Sequence, residues 1–277
     1  MEFEFLVPED EEELFDRMNE NDYRLVAGGT DLFVKIEKDL ISPKRLLDVT
    51  NVIDVPKIEK RDEEIRVSAT TTHGELARSN LIQEEFPILA ESAESVGGVQ
   101  LRNKATVGGN ICNASPSADT LIALYALDAQ LKLKSRDGTR RTPIEDFITG
   151  PGETVLQRGE FLESIKIPRL SGNYRHFFKK VGRRNALDIS VCSIGFVLKT
   201  DGNFTEDIRI AYGAVAPTVV RPTPVEKYLK GKKLTEDVVS EAKNLLEAEI
   251  SPISDIRGSA EYRRKVALRG LEELLRN

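Results

Sequence analysis

The sequence predicts an α+β fold in three parts: an N-terminal β-α-β unit (residues 1–53), a middle mixed sheet with its helices (54–168), and a C-terminal antiparallel sheet followed by helices (169–277). Three observations carry this. Short strand-like and helix-like runs alternate near the N-terminus. From about residue 54, strand-like runs surround helical ones. The C-terminal third holds long alternating runs and then amphipathic stretches.

In the first part FEFLV is a strand, and Pro8 with the acids of PEDEEELFDRMNEN opens a helix whose positive dipole end favours carboxylates. Leu14 and Met18 share one face of that helix. RLVAG is a strand running into a glycine pair, DLFVKIEKD a short helix and RLLDVT a further strand. In the middle part EIRVSAT alternates as a strand, and TTHGELARS opens a helix with Thr72 and Glu75 at capping-box spacing. FPILAESAESVG reads as a helix, ATVGGNICNA as an extended segment punctuated by glycine, and TLIALYALDAQLKLKS as a buried helix leading into a strand. RDGTRRTPIEDF is a turn and a connecting segment, and ETVLQRGEFLESIKIP ends in a strand closed by Pro168, the expected boundary. YRHFFKKV, ISVCSIGFVLK and IRIAYGAVAPTVVR are strands of an antiparallel sheet. TEDVVSEAKNLLEAE and SAEYRRKVALRGLEELLRN are amphipathic helices that cover it.

Composition narrows the function. A chain of 277 residues builds sizeable cores without covalent staples. Two cysteines, Cys112 and Cys192, lie far apart with no C-x-x-C spacing, which disfavours a zinc site, an iron–sulfur cluster or a disulfide framework and suits a reducing compartment. The net charge of -6 and the lack of a basic block argue against nucleic acid as partner. The acidic N-terminus is unlike a signal peptide, and no apolar run approaches the roughly 20 residues of a spanning helix. The expectation is a cytoplasmic protein without a membrane span. His73 and His176 have no nucleophile or second metal ligand at suitable spacing and read as structural or surface residues.

The chain's internal repetition is read as two glycine pairs, in VAGGTDL (residues 26–32) and ATVGGNICNASPSAD (105–119), each behind a β-branched residue or its neighbour. A lone pair is ordinarily a tight turn. Two pairs meeting in space offer a second reading, because glycine-rich turns line up backbone N–H groups for anions and could hold both halves of a pyrophosphate. Neither G-x-x-x-x-G-K-[ST] nor G-x-G-x-x-G between strand and helix is present, so this is no ordinary P-loop or Rossmann protein. Asn110, Asn113, Ser115, Ser117 and Asp119 add hydrogen-bonding groups that suit a ribose or ribityl chain.

VAGGTDL and QLRNKATVGGNICNASPSADT (residues 100–120), with FKKVGRR (178–184) and SDIRGSAEYRR (254–264), resemble the FAD-binding medium subunits of the molybdenum hydroxylases, the xanthine dehydrogenase and carbon monoxide dehydrogenase family. The resemblance covers essentially the whole chain. It implies a FAD-binding fold of the vanillyl-alcohol-oxidase-like (PCMH) type and an oxidoreductase flavoprotein subunit. By that likeness the FAD pyrophosphate sits between Arg24, Leu25, Val26, Ala27, Gly28, Gly29, Thr30 and Asp31 on one side and Thr106, Val107, Gly108, Gly109 and Asn110 on the other. Amides at residues 27–30, 108 and 109 do most of the holding, aided by the Thr30 hydroxyl and the Asn110 side chain. Asp119 matches an acid on FAD hydroxyls, for which a helix cap is the plainer reading. Leu162 matches a backbone contact near the flavin ring, and Lys180, or else Lys179, a basic residue beside it.

The resemblance further implies partners: an iron–sulfur small subunit and a molybdopterin large subunit, with electrons passing through two-iron clusters to this FAD and on to NAD, a quinone or a ferredoxin. No side chain of this chain is expected to be catalytic, and no metal is expected. Two cysteines cannot supply the four-iron cluster of the hydroxybenzoyl-CoA reductase branch. A standalone flavin oxidoreductase and a FAD-free assembly subunit are the alternatives.

Overall fold

The computed structural model describes residues 2–19, 22–184 and 188–276. Strands β1 (Glu4–Leu6), β2 (Tyr23–Val26) and β3 (Arg45–Asp48) form a parallel sheet in the order β1-β3-β2, crossed by helices α1 (Glu11–Asn19) and α2 (Leu32–Glu37). Glu11, Glu12 and Glu13 fill the first turn of α1, and Leu14, Phe15 and Met18 form its buried face. The expected helix extended to Asn21; Glu20 and Asn21 lie outside the described residues.

The middle part contributes strands β4 (Ile58–Lys60), β5 (Glu64–Ser68), β6 (Gln130–Ser135), β7 (Gly138–Pro143), the small hairpin β8 (Ile148–Gly150) and β9 (Glu153–Thr154), and β10 (Phe161–Pro168). Its main sheet runs β4-β5-β10-β6-β7 with every pairing antiparallel, where a mixed sheet was expected. Helices α3 (His73–Arg78), α4 (Asn80–Glu85), α5 (Pro87–Glu94), α6 (Val99–Arg102), α7 (Val107–Asn113), α8 (Asp119–Ala126) and α9 (Ile144–Phe147) accompany it. Thr72 and Glu75 form the expected capping box at α3.

Two segments depart from expectation. The glycine-punctuated run 105–114 is helical rather than extended: Thr106 caps α7 by accepting from Gly109, and Val107 and Ile111 point into the core. In RDGTRRTPIEDF, residues 138–143 pair with β6 and 144–147 make α9.

The C-terminal sheet β11 (Arg175–Val181), β12 (Cys192–Asp201) and β13 (Phe204–Gly213) is antiparallel in that order, as expected, but the third strand ends at Gly213 where IRIAYGAVAPTVVR was expected to continue to Arg221. Ile194, Phe196, Leu198, Ile208 and Ile210 pack beneath α10 (Thr223–Leu229), α11 (Glu236–Glu249) and α12 (Ala260–Gly270). The opposite face receives the fully buried α8. Close approach there needs small residues. A Cβ on Gly195 would lie 3.0 Å from both Ile122 and Ile88, and one on Gly213 2.7 Å from Ile122.

A largely enclosed arginine also crosses this junction. Arg221 donates to Asp128, to Glu145 at 2.6 Å and to Glu226 at 3.0 Å, with only 14% of its side chain exposed. Removing Arg221 would strand Glu226, whose side chain is 11% exposed, while Asp128 and Glu145, 40% and 39% exposed, stay in contact with water. Arg221→Ala should therefore lower unfolding free energy by about 1–3 kcal/mol, chiefly through the stranded Glu226. Lys265→Ala, at an exposed helix pair, should stay within about 0.5 kcal/mol, both read by urea denaturation.

Candidate functional site

All three parts line one cleft of about 1400 Å³. Its first wall is the turn between β2 and α2. Gly29 is left-handed there (φ 68°), and among the described residues the backbone N–H groups of residues 27–31 donate to no protein acceptor. Consecutive free amides around a left-handed residue form a concavity suited to an anion. Gly28 serves a different end. A Cβ on it would fall 1.9 Å from the Lys104 carbonyl oxygen, so glycine lets this turn press against the loop before α7. Asp31 stands at the N-cap of α2 without capping it and pairs with Lys35 at 2.8 Å; Lys35 also donates to Asn113 at 2.5 Å. Thr30 and Arg24 line the same wall.

The second wall is α7, and here two expectations need correction. Gly108 and Gly109 face the cleft, but their N–H groups donate to the Ala69 carbonyl (2.9 Å) and the Thr106 hydroxyl (3.1 Å). Gly108 is glycine because a Cβ would lie 2.6 Å from the Ala69 carbonyl oxygen, so it serves packing of α7 against the end of β5. Val107 does not line the cleft. Its side chain is 1% exposed in the main core and its N–H is spent on the Thr71 carbonyl. Thr106 and Asn110 do line the cleft. Asn110 accepts from the Thr120 hydroxyl at 2.7 Å, and Thr120 touches His73, whose other ring nitrogen lies 2.8 Å from the Ala105 carbonyl. His73 is thus a fully buried strut under the second wall, in line with the structural reading.

Asp119 closes the far side. It opens α8 but makes no cap hydrogen bond, which overturns the capping alternative. Its buried carboxylate receives Lys180 at 2.6 Å and the Ser190 hydroxyl, both from the C-terminal part, and Lys180 also donates to the Ser95 carbonyl at 2.9 Å. Burial pushes the Asp119 pKa up and Lys180 opposes that shift. Of the two candidate lysines, only Lys180 lines the cleft; Lys179 points outward towards Glu273. Leu162 contributes at a bulge in β10, where pairing with β6 shifts between Leu162 and Ser164. Such a bulge bends the strand and re-aims its groups, here at the end of the central strand. Cys112 also lines the cleft, with its thiol pushed up to about 12 by burial, so it stays protonated and unreactive at neutral pH.

Sequence reasoning missed part of this lining. A third glycine pair, Gly97–Gly98, sits in the same cleft, and its signal was present as another valine-led Gly-Gly. Asp188 and Ile189 also line the cleft from a segment with no local signature, and Arg257 lines it from within SDIRGSAEYRR, a motif that carried the resemblance but no cleft role for this residue. Among the described residues no group of three His, Cys, Asp or Glu side chains could hold a metal ion, and no helix is long and apolar enough to cross a membrane. A long cleft with free amides at one wall and a buried carboxylate at another fits an extended, pyrophosphate-containing cofactor.

Comparison with known proteins agrees. Residues 1–170 match the family described as the FAD binding domain in molybdopterin dehydrogenase, and residues 176–277 match the CO dehydrogenase flavoprotein C-terminal domain. The glyceraldehyde dehydrogenase medium chain of Sulfolobus acidocaldarius is 34% identical, over 96% of this chain and 94% of that one. The xanthine dehydrogenase FAD-binding subunit of Escherichia coli O157:H7 is 32% identical, over 87% and 83%. The fold is similar to that in carbon monoxide dehydrogenase from Hydrogenophaga pseudoflava, with a TM-score of 0.95, 27% identity and coverage of 99% of this chain and 96% of that chain.

Two predictions follow from the walls. Gly108→Ala should cost about 1–3 kcal/mol of stability, since its methyl overlaps Ala69, and Gly29→Ala about 1–2 kcal/mol through its left-handed backbone; chemical denaturation of each checks this. Burial also holds His73 and His176 below the ordinary histidine value of 6.5. The unfolded chain then binds protons first as pH falls, so stability is full above 6.5 and declines below it. His73→Gln should flatten that decline in urea melts taken below pH 6.5 and leave the pH dependence above it unchanged.

Proposed function

The chain belongs to the FAD-binding medium subunits of the molybdenum hydroxylase family, and from that premise we propose that it relays electrons within a multi-subunit dehydrogenase. FAD is its cofactor, and the fold is the FAD-binding type of that family. In this reading an iron–sulfur small subunit delivers electrons from a molybdopterin large subunit. An external acceptor such as NAD, a quinone or a ferredoxin removes them.

When bound, FAD supplies the redox chemistry, accepting and releasing electrons at its isoalloxazine ring. The protein's work is binding and orientation. The free N–H groups of residues 27–31 hold the pyrophosphate with neutral donors, and the Thr30 hydroxyl and the Asn110 amide reach it from either wall. Asp119 accepts from cofactor hydroxyls while its own position is set by Lys180 and Ser190. The Leu162 bulge and Lys180 border the flavin ring. The three sequence parts, 1–53, 54–168 and 169–277, each supply one wall of this cleft.

The observation that carries the proposal is the run of unpartnered amides at residues 27–31 facing a cleft that all three parts line. The test is direct. Purified chain should bind one FAD and release FAD rather than FMN. Copurified with its partner subunits, its flavin should bleach anaerobically when the molybdenum site is reduced, while the isolated chain under the same conditions does not. A colourless chain that refuses added FAD contradicts the proposal, and a chain that oxidises a substrate unaided supports a standalone enzyme instead.

A further inference from the structure

The C-terminal run SAEYRR contains Arg263, which is 2% exposed inside α12. A buried guanidinium is expensive to desolvate, and an apolar side chain would pack a helix onto a sheet at less cost. Its hydrogen bonds show what it does instead. Arg263 donates to the Val191 carbonyl at 2.7 Å, the Ala214 carbonyl at 3.1 Å and the Asp255 carboxylate at 2.6 Å.

Val191 and Asp255 belong to segments that line the cleft, and Ala214 is bonded to a loop that does. Val191 follows Asp188 and Ile189, which line it, and Ser190, which holds Asp119. The Ala214 N–H donates to the Pro116 carbonyl at 2.8 Å, and that loop places Ser115, Ser117 and Ala118 in the lining. Asp255 closes the turn to Gly258 by accepting from the Arg257 N–H at 2.8 Å, and Arg257 lines the cleft. The turn is seated tightly on the first segment. A Cβ on Gly258 would lie 2.9 Å from Val191, and Arg183 donates to the Ile256 carbonyl at 2.9 Å.

We infer that Arg263 is a positioning residue: one buried guanidinium gathers three chain segments into the C-terminal wall of the cofactor cleft and so sets the surroundings of the flavin ring. The inference rests on the FAD reading above. It touches no cofactor atom itself and acts through Val191, Ala214 and Asp255.

The test uses the full chain loaded with FAD. Asp255→Asn keeps the shape of the turn but loses the ionic bond, and Arg263→Lys keeps the charge but loses the planar fork. Lys265→Ala on the same helix is the control. Both test variants should retain FAD, weakened by less than about tenfold because the amide wall is untouched. Both should change the visible circular dichroism of the bound flavin and shift its midpoint potential, while the control changes neither. Bound flavin with unaltered dichroism and potential in Asp255→Asn overturns the inference, whether or not Arg263→Lys folds. A wild-type chain that binds no FAD overturns the FAD reading instead, so the two failures are distinguishable.

Discussion

The cleft depends on how closely two backbone segments approach each other. The turn at residues 27–31 comes so near the loop before α7 that a single methyl on Gly28 would penetrate the Lys104 carbonyl. That contact seats the small N-terminal sheet against the middle part, and it leaves the amides of residues 27–31 turned towards the open side. Packing and the proposed anion site are thus one arrangement: the residue type that permits the contact also permits the left-handed turn at Gly29 that lines up the donors.

The far wall is built by the same logic with charged groups. Small residues at Gly195 and Gly213 let α8 lie on the C-terminal sheet, and α8 carries Asp119 into a buried position where Lys180 and Ser190 meet it. A buried carboxylate with these partners is oriented before any ligand arrives, which lowers the ordering cost of binding. Arg221 reaches across the same junction to Asp128 and Glu145, and Arg263 ties together segments within the C-terminal part. Ionic contacts that are weak on a surface act here as geometric constraints, because losing one partner leaves the other desolvated.

Much of this was legible in the sequence. The β-α-β unit, the antiparallel C-terminal sheet and the capping box at Thr72 follow from periodicity and local chemistry, and VAGGTDL does form a wall of the cleft. The second glycine loop was misread in conformation. Its glycines and asparagines have low helix propensity, whereas burial of Val107 and Ile111 and the Thr106 cap make it helical. The role of Gly108 was hidden for a related reason: the space it preserves belongs to Ala69, remote in sequence. Asp188 and Ile189 were illegible, and Arg257, though inside the SDIRGSAEYRR motif, carried no sign of a cleft position, because only the tertiary packing of the C-terminal part brings them to the cleft.

In the proposed arrangement residues 27–31 hold the anion while α7 supplies packing and side chains. Backbone amide chemical shifts of isotope-labelled chain, recorded without and with FAD, test it most directly. The largest changes should fall at Gly28, Gly29, Thr30 and Asp31, with smaller changes at Gly108 and Gly109, whose donors already have protein acceptors. Large shifts at Gly108 and Gly109 with little change at residues 27–31 would contradict it.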